Sequence, residues 1–260
     1  MIEIKAIDLS NLQNDMRTEA SRDIRNSFDL LVGPVREAYA LRMNGDAATL
    51  VPTLTPPNLI NTVYEIFALF EKLDKEYGAA GALPIEDAEE LSDHAIRYLA
   101  ELGNWLPRLE LGRLQTALND TLVGVALWAV RHECDIGVAE PIVNALALRA
   151  NDAGSKEALA AIYGIQQGVI KHLAPRYQHD LEKSDPQRPW RILNLNFAIV
   201  SIRAQDMRMM SYAFKTLGDH LPEECPGFFE EAIRLAQHPA FSDEVKDILL
   251  SEQARWASKH

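Results

Sequence analysis

A His-Asp pair at His179-Asp180 is the residue combination in this chain best suited to bind a metal and activate water. Such hydrolytic chemistry needs a further upstream His and a downstream Asp, which His132 or His172 and Asp206 could supply. The flanking Arg176, Tyr177, Gln178, Glu182 and Lys183 instead describe a polar surface turn, whereas metal ligands need a supported, partly enclosed shell. A second candidate is Arg131-His132-Glu133-Cys134, where a thiolate near His and Arg would be a nucleophile. Consecutive helical residues point about 100 degrees apart, so His132 and Cys134 do not converge, and Arg and His at a helix C-terminus complement its dipole. Asn119-Asp120 with Glu65, Glu71 and Asp74 has the composition of an acidic metal site without its spacing, and these acids read as solvent faces of amphipathic helices. Gly78 to Gly81 lacks the following Lys and Ser/Thr of a phosphate-binding loop. No catalytic motif and no cofactor site emerges.

The charge pattern points elsewhere. Between Pro186 and Lys215 the basic residues are Arg188, Arg191, Arg203, Arg208 and Lys215, and Asp206 is the only acid. The whole chain carries a net charge of -12. That sign disfavours nucleic-acid phosphates and anionic membranes as partners. A local positive strip on an acidic protein suits a carboxylate-bearing protein or peptide, because arginine pairs carboxylates bidentately. The competing account is a solvated helix face whose arginines pair with neighbouring acids.

These residues must be positioned by helices. Apolar residues recur three or four apart from about residue 9 onward: Met16, Ala20, Ile24, Phe28 and Leu31 share one face, with Ser10 as a possible cap. Gly33-Pro34 predicts an interruption, with a shorter helix from Val35 to Met43. Val51 to Pro57 reads as a linker, and Pro57 opens a helix through Leu59, Val63, Phe67, Phe70 and Leu73. The next helix runs from Ile85 to Gly103. A longer one, Leu109 to Arg131, is apolar on nearly every side around Leu122 to Val130 and is expected to be central. Further helices are predicted near 139–150, 155–171, 174–183, 190–204, 206–220, 226–237 and 242–257. Only Ile2 to Ile7 alternates like a strand. The expected fold is all-α, with about 11 or 12 helices stacked as antiparallel hairpins, a solenoid or an irregular bundle. An N-terminal region, 1–108, and a repeat-like region, 109–260, are expected, possible parts of one continuous domain.

With 47% hydrophobic and 25% charged residues the composition is that of a folded soluble domain. The longest apolar run is half a bilayer span, the start shows no secretory signal, and Cys134 and Cys225 are distant. These features together predict a cytoplasmic protein.

Leu159-Ala160 with Tyr163, and Leu193-Asn194 with Phe197, sit 34 residues apart, and Val125-Ala126 with Ala129 is a fainter upstream match. Together with Trp190 they resemble the first helix of a tetratricopeptide-repeat hairpin, Trp-x2-Leu-Gly-x2-Tyr, with Asn194 in place of Gly. Ala213 fits the later alanine of that pattern. Asp206 and Met210 depart from its Ala-x3-Phe, and Pro222 closes it late. The resemblance covers at most the second half of the chain. It implies an adaptor that binds a protein or acidic peptide in a groove, with Arg188, Arg191, Leu195, Ala198 and Ile199 at groove-facing positions and Arg203 in the same basic strip. Two other readings compete with it. One is a small-ligand or metal-dependent hydrolase pocket around Trp128, His132 and Tyr163. The other is a homodimer formed through apolar helix faces.

Overall fold

The computed structural model describes residues 20–45, 54–84, 87–179 and 183–258. Ser10, the alternation from Ile2 to Ile7, and Asp180 and Glu182 lie outside them. Eleven α-helices occupy the described residues, with no β-strand among them. None of these helices is long and apolar enough to cross a membrane. The chain divides into two compact units, one ending at Ile142 and one beginning at Val143. The division falls after the central helix rather than before it, at residue 108, because that helix packs against two partners in the first unit.

The first unit contains α1 (Ala20–Gly45), α2 (Pro56–Tyr77), α3 (Ala88–Arg108) and α4 (Gln115–Arg131). Helix α1 runs straight through Gly33-Pro34, where an interruption was expected. Pro34 removes one hydrogen bond, to the carbonyl of Leu30, and Leu30 is 64% exposed, so water is at hand for that carbonyl. The buried stripe Ile24, Phe28, Leu31 and Val35 holds the two halves in one helix. Helix α3 likewise passes through Gly103, the expected end. A Cβ there would lie 2.8 Å from the Leu118 side chain, so this glycine serves the contact of α3 with α4. Gly124 does the same for α4 against α1, since its Cβ would meet Ile24 at 2.5 Å. The expected long helix from Leu109 is shorter, starting after a 3-10 turn at Gly112–Leu114. Its burial is as expected: Leu118, Leu122, Val123, Val125, Ala126, Trp128 and Ala129 are all in the core. Phe28, Phe67, Phe70 and Trp128 continue that core in a chain of ring contacts, ending in a Phe70–Trp128 stack at 3.9 Å.

The boundary at 142 falls inside α5 (Ala139–Asp152). The second unit continues with α6 (Lys156–His172), α7 (Pro175–Gln178), α8 (Pro189–Ala204), α9 (Met207–His220), α10 (Cys225–Ala236) and α11 (Asp243–Ala257). Ser155, Asp206 and Ser242 accept hydrogen bonds from the first-turn amides of α6, α9 and α11, which fixes those helix starts. Of the helix expected over 174–183, the described residues form a single turn, Pro175–Gln178, whose polar sequence has no apolar face to bury. Helix α8 packs against both α6 and α9. Arg203, near the end of α8, donates to the carbonyls of Ala150 and Ala153, just before α6 begins, so α6 and α8 run antiparallel. Tyr163 and Phe197 stack at 4.3 Å across that pair, with Tyr212 of α9 edge-on to Phe197. Helices α10 and α11 form the last hairpin, and Trp256 fills the space left open by Gly218.

Candidate functional site

Helix α8 carries most of the residues singled out by sequence, and its register sorts them. At 100 degrees per residue, Phe197, Leu193 and Asn194 face inward toward α6 and α9, and all are buried. The opposite side presents Ile192, Leu195, Asn196 and Ile199. Ile192 and Leu195 are half-buried and Ile199 is 36% exposed, so an apolar surface stripe runs along the outer face. Ala198 does not belong to that face: it is 0% exposed, at the edge of the buried arc.

The arginines bound the stripe at its two ends. Arg188, the N-cap of α8, is only 4% exposed and donates through Nη1 to the carbonyls of Lys183 (3.2 Å) and Asp185 (3.0 Å). Its Nη2 lies 3.8 Å from Glu224. Arg191 grips the same Glu224 in a fork, Nε to Oε1 at 2.5 Å and Nη2 to Oε2 at 2.9 Å, and donates to the Pro186 carbonyl. The Glu224 carboxylate holds the Arg191 guanidinium more firmly protonated than usual. At the far end Arg203 caps the Ala150 carbonyl in the last turn of α5 and the Ala153 carbonyl just beyond it. Lys215 pairs with Asp219 one turn along α9. The structure thus brings Arg188 and Arg191 together around an internal acid and places Arg203 three turns away. Both groups sit at the ends of the stripe made by Leu195 and Ile199.

Asn194, inside the apolar stretch, is fully engaged. Its Nδ2 donates to the Trp190 carbonyl at 2.9 Å, and its Oδ1 accepts from His220 Nδ1 at 2.8 Å. That bond assigns the proton to Nδ1 of His220, and burial lowers the pKa of the imidazole.

Of the residues of the alternative pocket, Trp128 and His132 belong to the first unit and Tyr163 to the second. All three are buried in the cores of those units, the Tyr163 hydroxyl donating to the Met209 carbonyl at 3.1 Å. His179 is exposed beside the Arg176–Tyr177 contact. Among the described residues no three His, Cys, Asp or Glu side chains cluster as metal ligands would. The Cys134 thiol meets the His132 carbonyl rather than its ring, and burial pushes it up to about 11, the opposite of nucleophilic activation.

One polar cluster was missed by sequence reasoning. Asp74, expected on a solvent face, has a side chain only 13% exposed, and its Oδ1 accepts from both Trp128 Nε1 (2.9 Å) and His132 Nε2 (2.8 Å). The signal available was weak: an acid spaced four residues from the buried Phe70 on α2. An open groove of about 400 Å³ lies at the adjoining ends of α2 and α3, lined by Leu69, Leu73, Tyr77 and Leu91 with Lys72, Glu76 and Asp87.

Comparison of the chain with protein-family profiles, curated proteins and solved structures gives no match.

Proposed function

We propose that this protein is an adaptor that binds a partner protein along the outer face of α8. The observation that carries the reading is the stripe Ile192, Leu195 and Ile199, apolar and open between two arginine-bearing ends. Residues spaced three and four apart on a fixed helix suit a partner helix laid alongside, whose own apolar face would cover them. With Arg188 and Arg191 committed to Glu224 and Arg203 to backbone carbonyls, the ends contribute a residual positive field rather than direct arginine–carboxylate contacts, and that field suits a partner segment bearing carboxylates. The likeness of Trp190, Leu193, Asn194 and Phe197 to a tetratricopeptide first helix adds a precedent for recognition by helical hairpins.

The engagement of Arg188 and Arg191 changes how the reading is tested. Reversing their charges would break the loop from Lys183 to Pro186 as well as any partner contact. Leu195→Glu with Ile199→Glu alters the stripe and leaves the ion pairs intact. Isotope-labelled affinity capture should lose a specific partner with that double variant and keep it with Leu235→Glu, which changes an exposed leucine on α10 instead. Equal capture by all three proteins would dismiss the α8 face.

A further inference from the structure

A second apolar surface lies in the first unit, on the side of α2 turned away from the core. Leu69, Leu73 and Tyr77 recur every four residues and form one ridge, and Lys72 and Glu76 form the ridge beside it. Leu69 and Tyr77 are each 45% exposed although apolar. Opposite them the first turn of α3 offers Leu91 and the buried Ala88, with Asp87 at its start. These two walls bound the open groove of about 400 Å³. It follows α2 for about 12 Å, the rise from Leu69 to Tyr77.

Both walls are fixed from behind. Asp74, next to Leu73, points the other way and accepts from Trp128 and His132. On α3, Glu89 accepts the Asp135 amide, and Asp93 accepts those of Gly137 and Val138. The end of α2 and the start of α3 are thereby tied to α4 and the segment after it. A groove whose walls are already ordered costs little entropy to fill.

The same bonds sort the acids at this end of the unit. Glu71 is paired with Arg25, and Asp74, Glu89 and Asp93 are spent on N–H donors. Glu76 and Asp87, one on each wall, are in no ion pair among the described residues. Asp87 precedes α3 without making a capping bond, and Glu76 faces the Tyr77 hydroxyl. Both carboxylates stand where α2 stops and α3 starts, and Lys72 lies one turn further in. On a chain of net charge -12 such a mouth attracts cationic groups and repels anionic membranes and acidic peptides.

We propose that this groove is a second docking site, which takes an amphipathic helix of a partner protein. Apolar residues at i, i+4 and i+7 of that helix fill the groove, and lysines or arginines at one end meet Glu76 and Asp87. The ridge of Leu69, Leu73 and Tyr77 accepts such a helix alongside α2, because side-chain ridges of one helix pack into the grooves of another. The site is independent of the α8 face and selects a partner of the opposite charge.

The test titrates a helical peptide, with leucines at i, i+4 and i+7 and lysines at one end, into the full-length ¹⁵N-labelled protein. Amide signals should move at residues 69–77 and 87–91, and fluorescence anisotropy gives the affinity. Leu69→Ser with Tyr77→Ser, checked for helicity by circular dichroism, should weaken binding about tenfold, because two half-exposed apolar side chains no longer become buried. Glu76→Gln with Asp87→Asn should weaken it about threefold and flatten its salt dependence. Leu195→Glu with Ile199→Glu should bind the peptide as the wild type does, so failure at the α8 face and failure here are told apart. Absence of binding, signals that move only elsewhere, or an unchanged affinity in Leu69→Ser with Tyr77→Ser would overturn the site. Equal binding of a peptide carrying glutamates in place of the lysines would overturn the charge selection. Self-association in analytical ultracentrifugation that the same leucine and tyrosine changes abolish would give the groove to a second copy of the chain, and so overturn the proposal as well.

Discussion

Whether Glu224 is a fixed partner of Arg191 or a replaceable one decides how much of the basic strip is open to a ligand. The perturbation is a double-mutant cycle, Arg191→Ala, Glu224→Ala and the pair together. The geometry is a fork with contacts at 2.5 and 2.9 Å, and the two side chains are 27% and 23% exposed. A close ion pair at an effective dielectric near 20 gains about 4 kcal/mol before costs. Desolvation and the ordering of two long side chains remove much of that, and a pair with a quarter of its surface in water lies between the surface limit of about 0–1 kcal/mol and the buried limit of about 3–5 kcal/mol. The expected coupling is therefore about 1–2 kcal/mol, measured by urea unfolding followed through tryptophan fluorescence. Glu224→Ala also takes the acid away from the buried Arg188, but that loss recurs in the double variant, so the cycle cancels it and isolates the Arg191 pair. Raising the salt concentration should weaken the coupling only slightly, because partly buried pairs are poorly screened. A coupling below about 0.5 kcal/mol would refute the reasoning and return Arg191 to the set of arginines free to meet a partner carboxylate.

Three further outcomes follow from packing and burial. Gly124→Ala should lower stability by about 1–3 kcal/mol in thermal melts, because its methyl would sit 2.5 Å from Ile24 Cγ1, and Ile24→Ala should restore part of the loss. Neither Cys134 nor Cys225 should react with Ellman's reagent in the native protein, since both are buried and the Cys134 thiol is pushed up to about 11; both should react in urea, and rapid native labelling would contradict that burial. The Tyr64 phenol is pushed up to about 12 by burial and by its hydrogen bond to Asp29. Folding thus favours the protonated phenol, so its contribution is whole below pH 10, where the free side chain titrates, and is lost as pH climbs toward 12. Alkaline melts of Tyr64→Phe should show a shallower decline over that window.

The helical content was legible because apolar spacing is a local property. Leu59, Val63, Phe67 and Phe70 mark α2 whatever they pack against, and Ser155, Asp206 and Ser242 fix helix starts through bonds only a few residues long. Punctuation by glycine and proline was less reliable. Gly33-Pro34 and Gly103 look like breaks in isolation, but one sits in a helix pinned by its buried stripe and the other at a helix contact.

By itself the sequence determined the helical character of the described residues, the inward face of their long helices, and the placing of Leu195 and Ile199 on one side of α8. It did so because a helix converts residue spacing into direction without reference to anything else. Which charges were free was decided only by tertiary structure. Arg191 found Glu224 33 residues away, Arg203 found the end of α5 53 residues away at Ala150, and Asp74 became the acceptor for Trp128 and His132 from another helix. Spacing along one helix carries no information about such partners. They meet because burying apolar faces forces the helices together, and a buried polar group must then take the partner that packing brings within reach.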